Sequence, residues 1–213
     1  MPASRQIPVT AWSASSRWRA GPLTAAVLLG GLWLFGSAEA LVVDARIGNS
    51  PWTVLSEGLS RHTPLSIGGA TFVISAVILL GWIPLRERPG LGTLANAVVI
   101  ALALGVGVVY GPHPHAVGLQ LLQAVAGTAL VGLGGALYLT AHLGPGPRDG
   151  LMTGLHARFG WPVAAVRTVL ELSALGAGWA LGGKVGPGTA VFAFGVGPAL
   201  VWFLHRMPVQ PQV

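Results

Sequence analysis

Apolar residues gather into six long runs separated by polar or Gly/Pro-rich joints, at about Leu23–Val43, Leu65–Ile83, Leu91–Tyr110, Val117–Leu139, Pro162–Leu181 and Thr189–Leu204. Each meets or approaches the ~17–25 apolar residues that an α-helix needs to cross a bilayer, so six transmembrane helices are predicted. Two longer connections, Asp44–Pro64 and Thr140–Trp161, open with Gly and Pro and then recover helical spacing. Pro51, Leu55 and Leu59 are four apart, as are Pro147, Leu151 and Leu155, with Phe159 continuing that face. Proline at the first helical position is a start signal, so short half-helices are predicted at Pro51–Arg61 and Pro147–Phe159.

The two connections are copies. Gly144 follows Gly48 by 96 positions, and the same offset carries Pro51 to Pro147, Leu55 to Leu151, Gly58 to Gly154 and Leu59 to Leu155. It extends outward, from Gly31 and Gly36 to Gly127 and Gly132, and from the Gly90-Leu-Gly92-Thr93 turn to Gly186-Pro-Gly188-Thr189. Each copy holds three spans. An odd number makes the second copy enter from the opposite side, so an inverted 3+3 repeat about an axis in the membrane plane is expected, an arrangement typical of transporters. The expected divisions are an N-terminal tail (1–20), a first three-helix repeat (21–115), a second (116–206) and a C-terminal tail (207–213).

Composition agrees with a bilayer protein. Apolar residues make up 53% and charged ones 8%, against roughly 25% charged in a soluble domain, and mean hydropathy is +0.69. So few charges cannot coat a soluble globule of 213 residues, which excludes a cytosolic enzyme. With no cysteine, a disulfide scaffold, an iron–sulfur carrier and a thiol enzyme are excluded too. The net charge of +6 reads as topology, because the basic residues stand singly at the ends of apolar runs and no stretch interleaves them with aromatics as nucleic-acid binding would require. With the N-terminus inside, cytoplasmic segments hold eight basic residues (Arg5, Arg17, Arg19, Arg86, Arg88, Arg148, Arg158, Arg206) and outer segments three (Arg46, Arg61, Lys184). That bias places both termini in the cytoplasm. The run through Ala38-Glu39-Ala40 imitates a cleavable secretory signal, but it is the counterpart of the internal span at Gly127–Leu139, so retention is expected.

The richest stretch chemically is Gly144-Pro-Gly-Pro-Arg148-Asp149-Gly150-Leu-Met152. It reads either as a re-entrant half-helix whose N-terminus holds an anionic group with help from Arg148, or as an interfacial helix with Arg148 and Asp149 solvated. Arg167 and Glu171, four apart in the fifth span, share a helix face. A charge in hydrocarbon costs roughly 2.5–3.5 kcal/mol on insertion scales, so the two are expected to pair toward the bundle, as a structural clip or as part of a solute path. Glu39 reads as a side chain snorkelling to the outer interface, with a cavity role as the other reading. His113-Pro-His115 lacks a third ligand and reads as a solvated turn. Gly178-x4-Gly183-Lys184 lacks the Ser or Thr of a phosphate loop, Gly90-x-Gly92-x-x-Ala95 follows no strand, and no protease or hydrolase motif occurs. Small residues at Gly127, Gly132, Gly134 and Gly135, and at Ala174, Gly178 and Gly182, provide faces for close helix packing and permit a homodimer.

Gly144–Met152, followed by Arg167-Thr168, Glu171, Gly182-Gly183 and Gly186-x-Gly188-Thr189, resembles the YczE/YyaS/YitT family of bacterial integral membrane proteins. The likeness covers nearly all of residues 21–205 and is strongest from Gly132 to Pro198. In relatives the first-repeat counterpart often reads Pro-Trp-Asp-Val-Leu. Here it is Pro51-Trp52-Thr53-Val54-Leu55, so a carboxylate is missing. The resemblance implies a bacterial inner-membrane protein without a settled substrate. Together these observations predict an all-α membrane protein of six spanning helices in an inverted 3+3 repeat, with two short re-entrant or interfacial half-helices. The expected function is a small-solute channel or gradient-driven transporter, not an enzyme, using Arg148, Asp149, Gly150, Arg167 and Glu171 at the solute and needing no metal or cofactor. A non-transporting partner that stabilises or assembles another membrane complex is the alternative.

Overall fold

A computed structural model describes residues 7–210 and contains eight α-helices among them. Arg5 and the outermost residues of both tails lie outside the described residues. The helices are α1 (Pro22–Asp44), α2 (Pro51–His62), α3 (Ile67–Leu85), α4 (Leu91–Tyr110), α5 (Val117–Thr140), α6 (Pro147–Phe159), α7 (Val163–Ala180) and α8 (Pro187–Leu204). All but α2 and α6 are long and apolar enough to cross a membrane. Local chemistry sets the boundaries. Proline occupies the first turn of α1, α2, α6 and α8, where its missing N–H removes no helical bond. Thr93 and Thr189 each turn a hydroxyl back to the amide before their helix, Gly90 N at 3.0 Å and Gly186 N at 3.2 Å.

The 96-residue offset recurs in the backbone. The left-handed residues Arg46 (φ 60°) and His142 (φ 57°) correspond, as do Gly48 (116°) and Gly144 (109°), and Arg86 (57°) and Gly182 (83°). Left-handed conformation costs an L-residue roughly 1–2 kcal/mol, so its recurrence at Arg46 and His142 marks a shape that the tertiary contacts enforce. Those contacts are reciprocal: Gly92 N donates to Leu143 O at 2.8 Å, and Gly188 N donates to Ile47 O at 2.8 Å. Each half thus closes the loop of the other.

Helices α1 and α5 pack extensively on each other, α4 lies on α1, and α8 lies on α5. The small faces are used within the chain. A methyl on Gly36 would lie 2.5 Å from Ile100 O of α4, and one on Gly132 would lie 2.7 Å from Ala199 Cβ of α8. Half-helix α2 packs on α7 and α3, and α6 packs on α3 and, less extensively, on α7. The correspondence fails at one pair. Helix α3 packs along α4, whereas α7 and α8 scarcely touch. The segment before α1 is docked across one end of the bundle: Trp12 Nε1 donates to Thr140 Oγ1 (3.0 Å), Ser13 Oγ to Thr140 O (2.7 Å) and Ala14 N to Ala141 O (3.0 Å).

Candidate functional site

The first turns of α2 and α6 each meet a polar side chain from a central helix. Glu39, on α1, is only 3% exposed. Its Oε2 accepts hydrogen bonds from Ser50 Oγ (2.9 Å) and Thr53 Oγ1 (2.8 Å). The expectation that Glu39 snorkels to the interface is therefore corrected: the side chain turns inward because the hydroxyls at the start of α2 satisfy it better than headgroups would. In the other half, Tyr138 of α5 donates its hydroxyl to Asp149 Oδ2 of α6. Thr53 and Asp149 occupy equivalent positions. The carboxylate absent at Thr53 is supplied from the facing helix by Glu39, so each half-site has one acid and hydroxyl donors, with the acid's location exchanged.

Arg148 occupies the position equivalent to Trp52, and the two side chains meet: the guanidinium lies 4.9 Å from the Trp52 ring centroid, within cation–π range. It makes no hydrogen bond or ion pair among the described residues. Glu39 Oε1 likewise has no hydrogen-bond partner among the described residues. The centre therefore holds unused guanidinium donors over Trp52 and an unused carboxylate oxygen on Glu39, which is bonded to the next residue, Thr53. Neither Arg148 nor Asp149 is simply solvated, since one stacks on Trp52 and the other is held by Tyr138.

The remaining expected site residues are Gly150, Arg167 and Glu171. Gly150 is buried under Trp82, whose Nε1 donates to Pro147 O at 3.0 Å. A side chain there would collide with the indole, so Gly150 admits α3. Arg167 and Glu171 do pair, Nε to Oε1 at 2.9 Å, but their side chains are 51% and 35% exposed. The expected burial in the bundle is corrected, because α8 does not cover this face of α7. Arg167 does not bond Asp149, whose partner is Tyr138. His113 is not merely a solvated turn residue. Its Nε2 lies 3.5 Å from Asp44 Oδ1, and Asp44 Oδ2 is buried without a partner. No cluster of three or more metal-ligating side chains occurs among the described residues. A groove lined by Leu29, Trp33, Leu34, Val99 and Leu102 is apolar and lies away from the centre.

Trp52 and Tyr138 were not read from the sequence as centre residues, and for Glu39 a cavity was only the second reading. The available signals were an acid inside an apolar run and the alignment of Trp52 with Arg148 at the repeat offset.

Residues 23–205 match a family of unknown function (DUF6198). The chain is 43% identical over 209 residues to an uncharacterized protein of Haemophilus influenzae, covering 98% of this chain and 96% of that protein. It is 32% identical over 179 residues to the uncharacterized membrane protein YczE of Bacillus subtilis, covering 83% of each chain. Over 125 residues it is 26% identical to YyaS of the same organism, covering 57% of this chain and 62% of that one. The resemblance to the YczE/YyaS family is thereby established. No solved structure matches the chain.

Proposed function

Because the chain belongs to DUF6198, a family of unknown function, we propose a function from the chemistry of the centre: it moves a small polar solute across a bacterial inner membrane, as a channel or a gradient-driven carrier. Arg148 carries this reading. Its guanidinium is brought from one half of the chain onto Trp52 of the other, whose neighbour Thr53 holds Glu39, and its donors are unused. In this reading the halves are inverted copies, both termini are cytoplasmic, α2 and α6 are re-entrant, and the solute binds where their first turns converge. Irregular backbone such as Gly144–Gly146 is tolerated at membrane depth only inside protein or along a wet cavity, which fits that placement.

Purified protein in liposomes, loaded and diluted into small polar solutes and followed by stopped-flow light scattering, tests the proposal. Glycine, β-alanine, urea and glycerol are the probes. The parent is expected to accelerate at least one of them over empty liposomes. Arg148→Gln and Glu39→Gln are expected to remove that acceleration while leaving the thermal melt largely in place. Acceleration unchanged in both variants would overturn the assignment of the centre. The second reading, a non-transporting partner that stabilises or assembles another membrane complex, draws on the uncovered faces of α7 and α8. It predicts no flux for any probe and stable co-purification with another membrane protein.

A further inference from the structure

Helix α7 carries charge where its counterpart carries small hydroxyls. On α3, Thr71 and Ser75 are 2% and 5% exposed, and Thr71 Oγ1 donates to Ser56 Oγ at 2.8 Å. The equivalent positions on α7 hold Arg167 and Glu171. Nearby, Gly68 of α3 nestles against Ala101 and Gly105 of α4, whereas Gly197 of α8, equivalent to Ala101, has open space where a methyl would point. A cleft therefore separates α7 from α8. Glu171 stands halfway along α7, where an exposed ion pair against lipid tails would be expensive. Helix α6, which carries Arg148 in its first turn, packs on α7.

We propose that the cleft between α7 and α8 is a water-filled vestibule that admits a small zwitterion, an amino-acid-like solute with one amine and one acid group, to Arg148 and Glu39. The destination rests on the transport reading, but the water in the cleft does not. The route has two stations, Arg167 with Glu171 and then Arg148 with Glu39, each presenting one guanidinium and one carboxylate. A guanidinium takes a carboxylate through paired N–H bonds, and the neighbouring acid takes the ammonium. A bare anion would meet a repelling carboxylate at both stations, and a bare cation a repelling guanidinium.

The absence of native cysteine makes the test direct. Gly197→Cys in the cleft, Ala101→Cys at the closed counterpart and Phe194→Cys on the outer face of α8 are reconstituted in liposomes. They are treated with a membrane-impermeant cationic methanethiosulfonate, with and without glycine, β-alanine, acetate or methylammonium. Thiolates react in water and buried thiols are inert, so labelling at Gly197→Cys is expected to be about tenfold faster than at Ala101→Cys. It is also expected to outpace Phe194→Cys, and to be slowed by glycine or β-alanine but not by acetate or methylammonium. Reaction at Gly197→Cys only with a lipid-soluble maleimide would show acyl chains in the cleft and overturn the proposal. Disulfide formation between two chains at Gly197→Cys would show a second copy covering the cleft and overturn it equally. Fast labelling without zwitterion protection would overturn the solute class. Fast, protected labelling without flux would remove the transport reading while leaving the vestibule standing.

Discussion

The helix pairs α3–α4 and α7–α8 are built on one plan and end differently. Within the bilayer no hydrophobic force pulls helices together, so association depends on close packing of small residues. The α3–α4 pair has them in Gly68, Ala101 and Gly105, with Thr71 and Ser75 turned into the body of the chain. In the α7–α8 pair, Arg167 and Glu171 replace the two hydroxyl residues, and the helices stand apart. A second exchange runs along the half-helices. Trp82 fills the space between α3 and α6, while Gly178, its equivalent on α7, brings that helix against the backbone of Val54 and Leu55 in α2. Three exchanged positions thus distinguish the halves of a common scaffold, and the side whose exchange is of charge is the one that stands open.

The largest effect is expected from the sealed side. Trp82→Ala removes an indole that is almost fully buried and bonded to Pro147 O, and truncations of this kind cost about 3–5 kcal/mol. The thermal melt in detergent should drop more than for any other substitution described below. Gly68→Leu comes next. A methyl there would already lie 2.5 Å from Ala101 O, and overpacking costs typically about 1–3 kcal/mol. The equivalent Ala164→Leu should scarcely move the melt. Equal losses at the two positions would mean that α7 and α8 are as tightly paired as α3 and α4.

Closing the open side sharpens the contrast further. Arg167→Thr combined with Glu171→Ser copies α3 onto α7, and α7 should then approach α8. In that background the impermeant reagent should reach Gly197→Cys about tenfold more slowly, since a covered thiol is inert. The smallest effect belongs to Arg167→Leu or Glu171→Leu alone. An ion pair exposed to water contributes about 0–1 kcal/mol, so either variant should melt close to the parent. A loss of about 3–5 kcal/mol would instead signal a buried pair with one partner stranded.

Helix positions were largely legible from the apolar runs. Leu91–Tyr110 and Pro147–Phe159 coincide with α4 and α6, and the other boundaries fall within two residues. The reason is physical: proline, glycine and the end of an apolar run act locally. The i, i+4 pairing of Arg167 with Glu171 was equally local and equally legible. Its exposure was not, because burial depends on whether α8 approaches, and that is decided by residues in another helix. Glu39 illustrates the same limit. An acid two residues from Leu41 looks like an interface residue until the fold brings Ser50 and Thr53 beneath it. The docking of Trp12, Ser13 and Ala14 onto Thr140 and Ala141 gave no periodic signal at all, since its three hydrogen bonds are spread over a segment without helical pattern.

The reciprocal loop closures also constrain how the chain is made. A ribosome delivers Ile47 long before Gly188, yet the carbonyl of the first is claimed only by the amide of the second. During synthesis the early half must wait in the membrane with Gly48 uncovered, because the turn that covers it begins at Gly186. Neither half can finish alone, and release near residue 186 would strand several helices without their clasp. A buried backbone carbonyl left without a donor is costly in lipid. The clasp therefore orders the first loop only once Gly186 and Gly188 have been delivered.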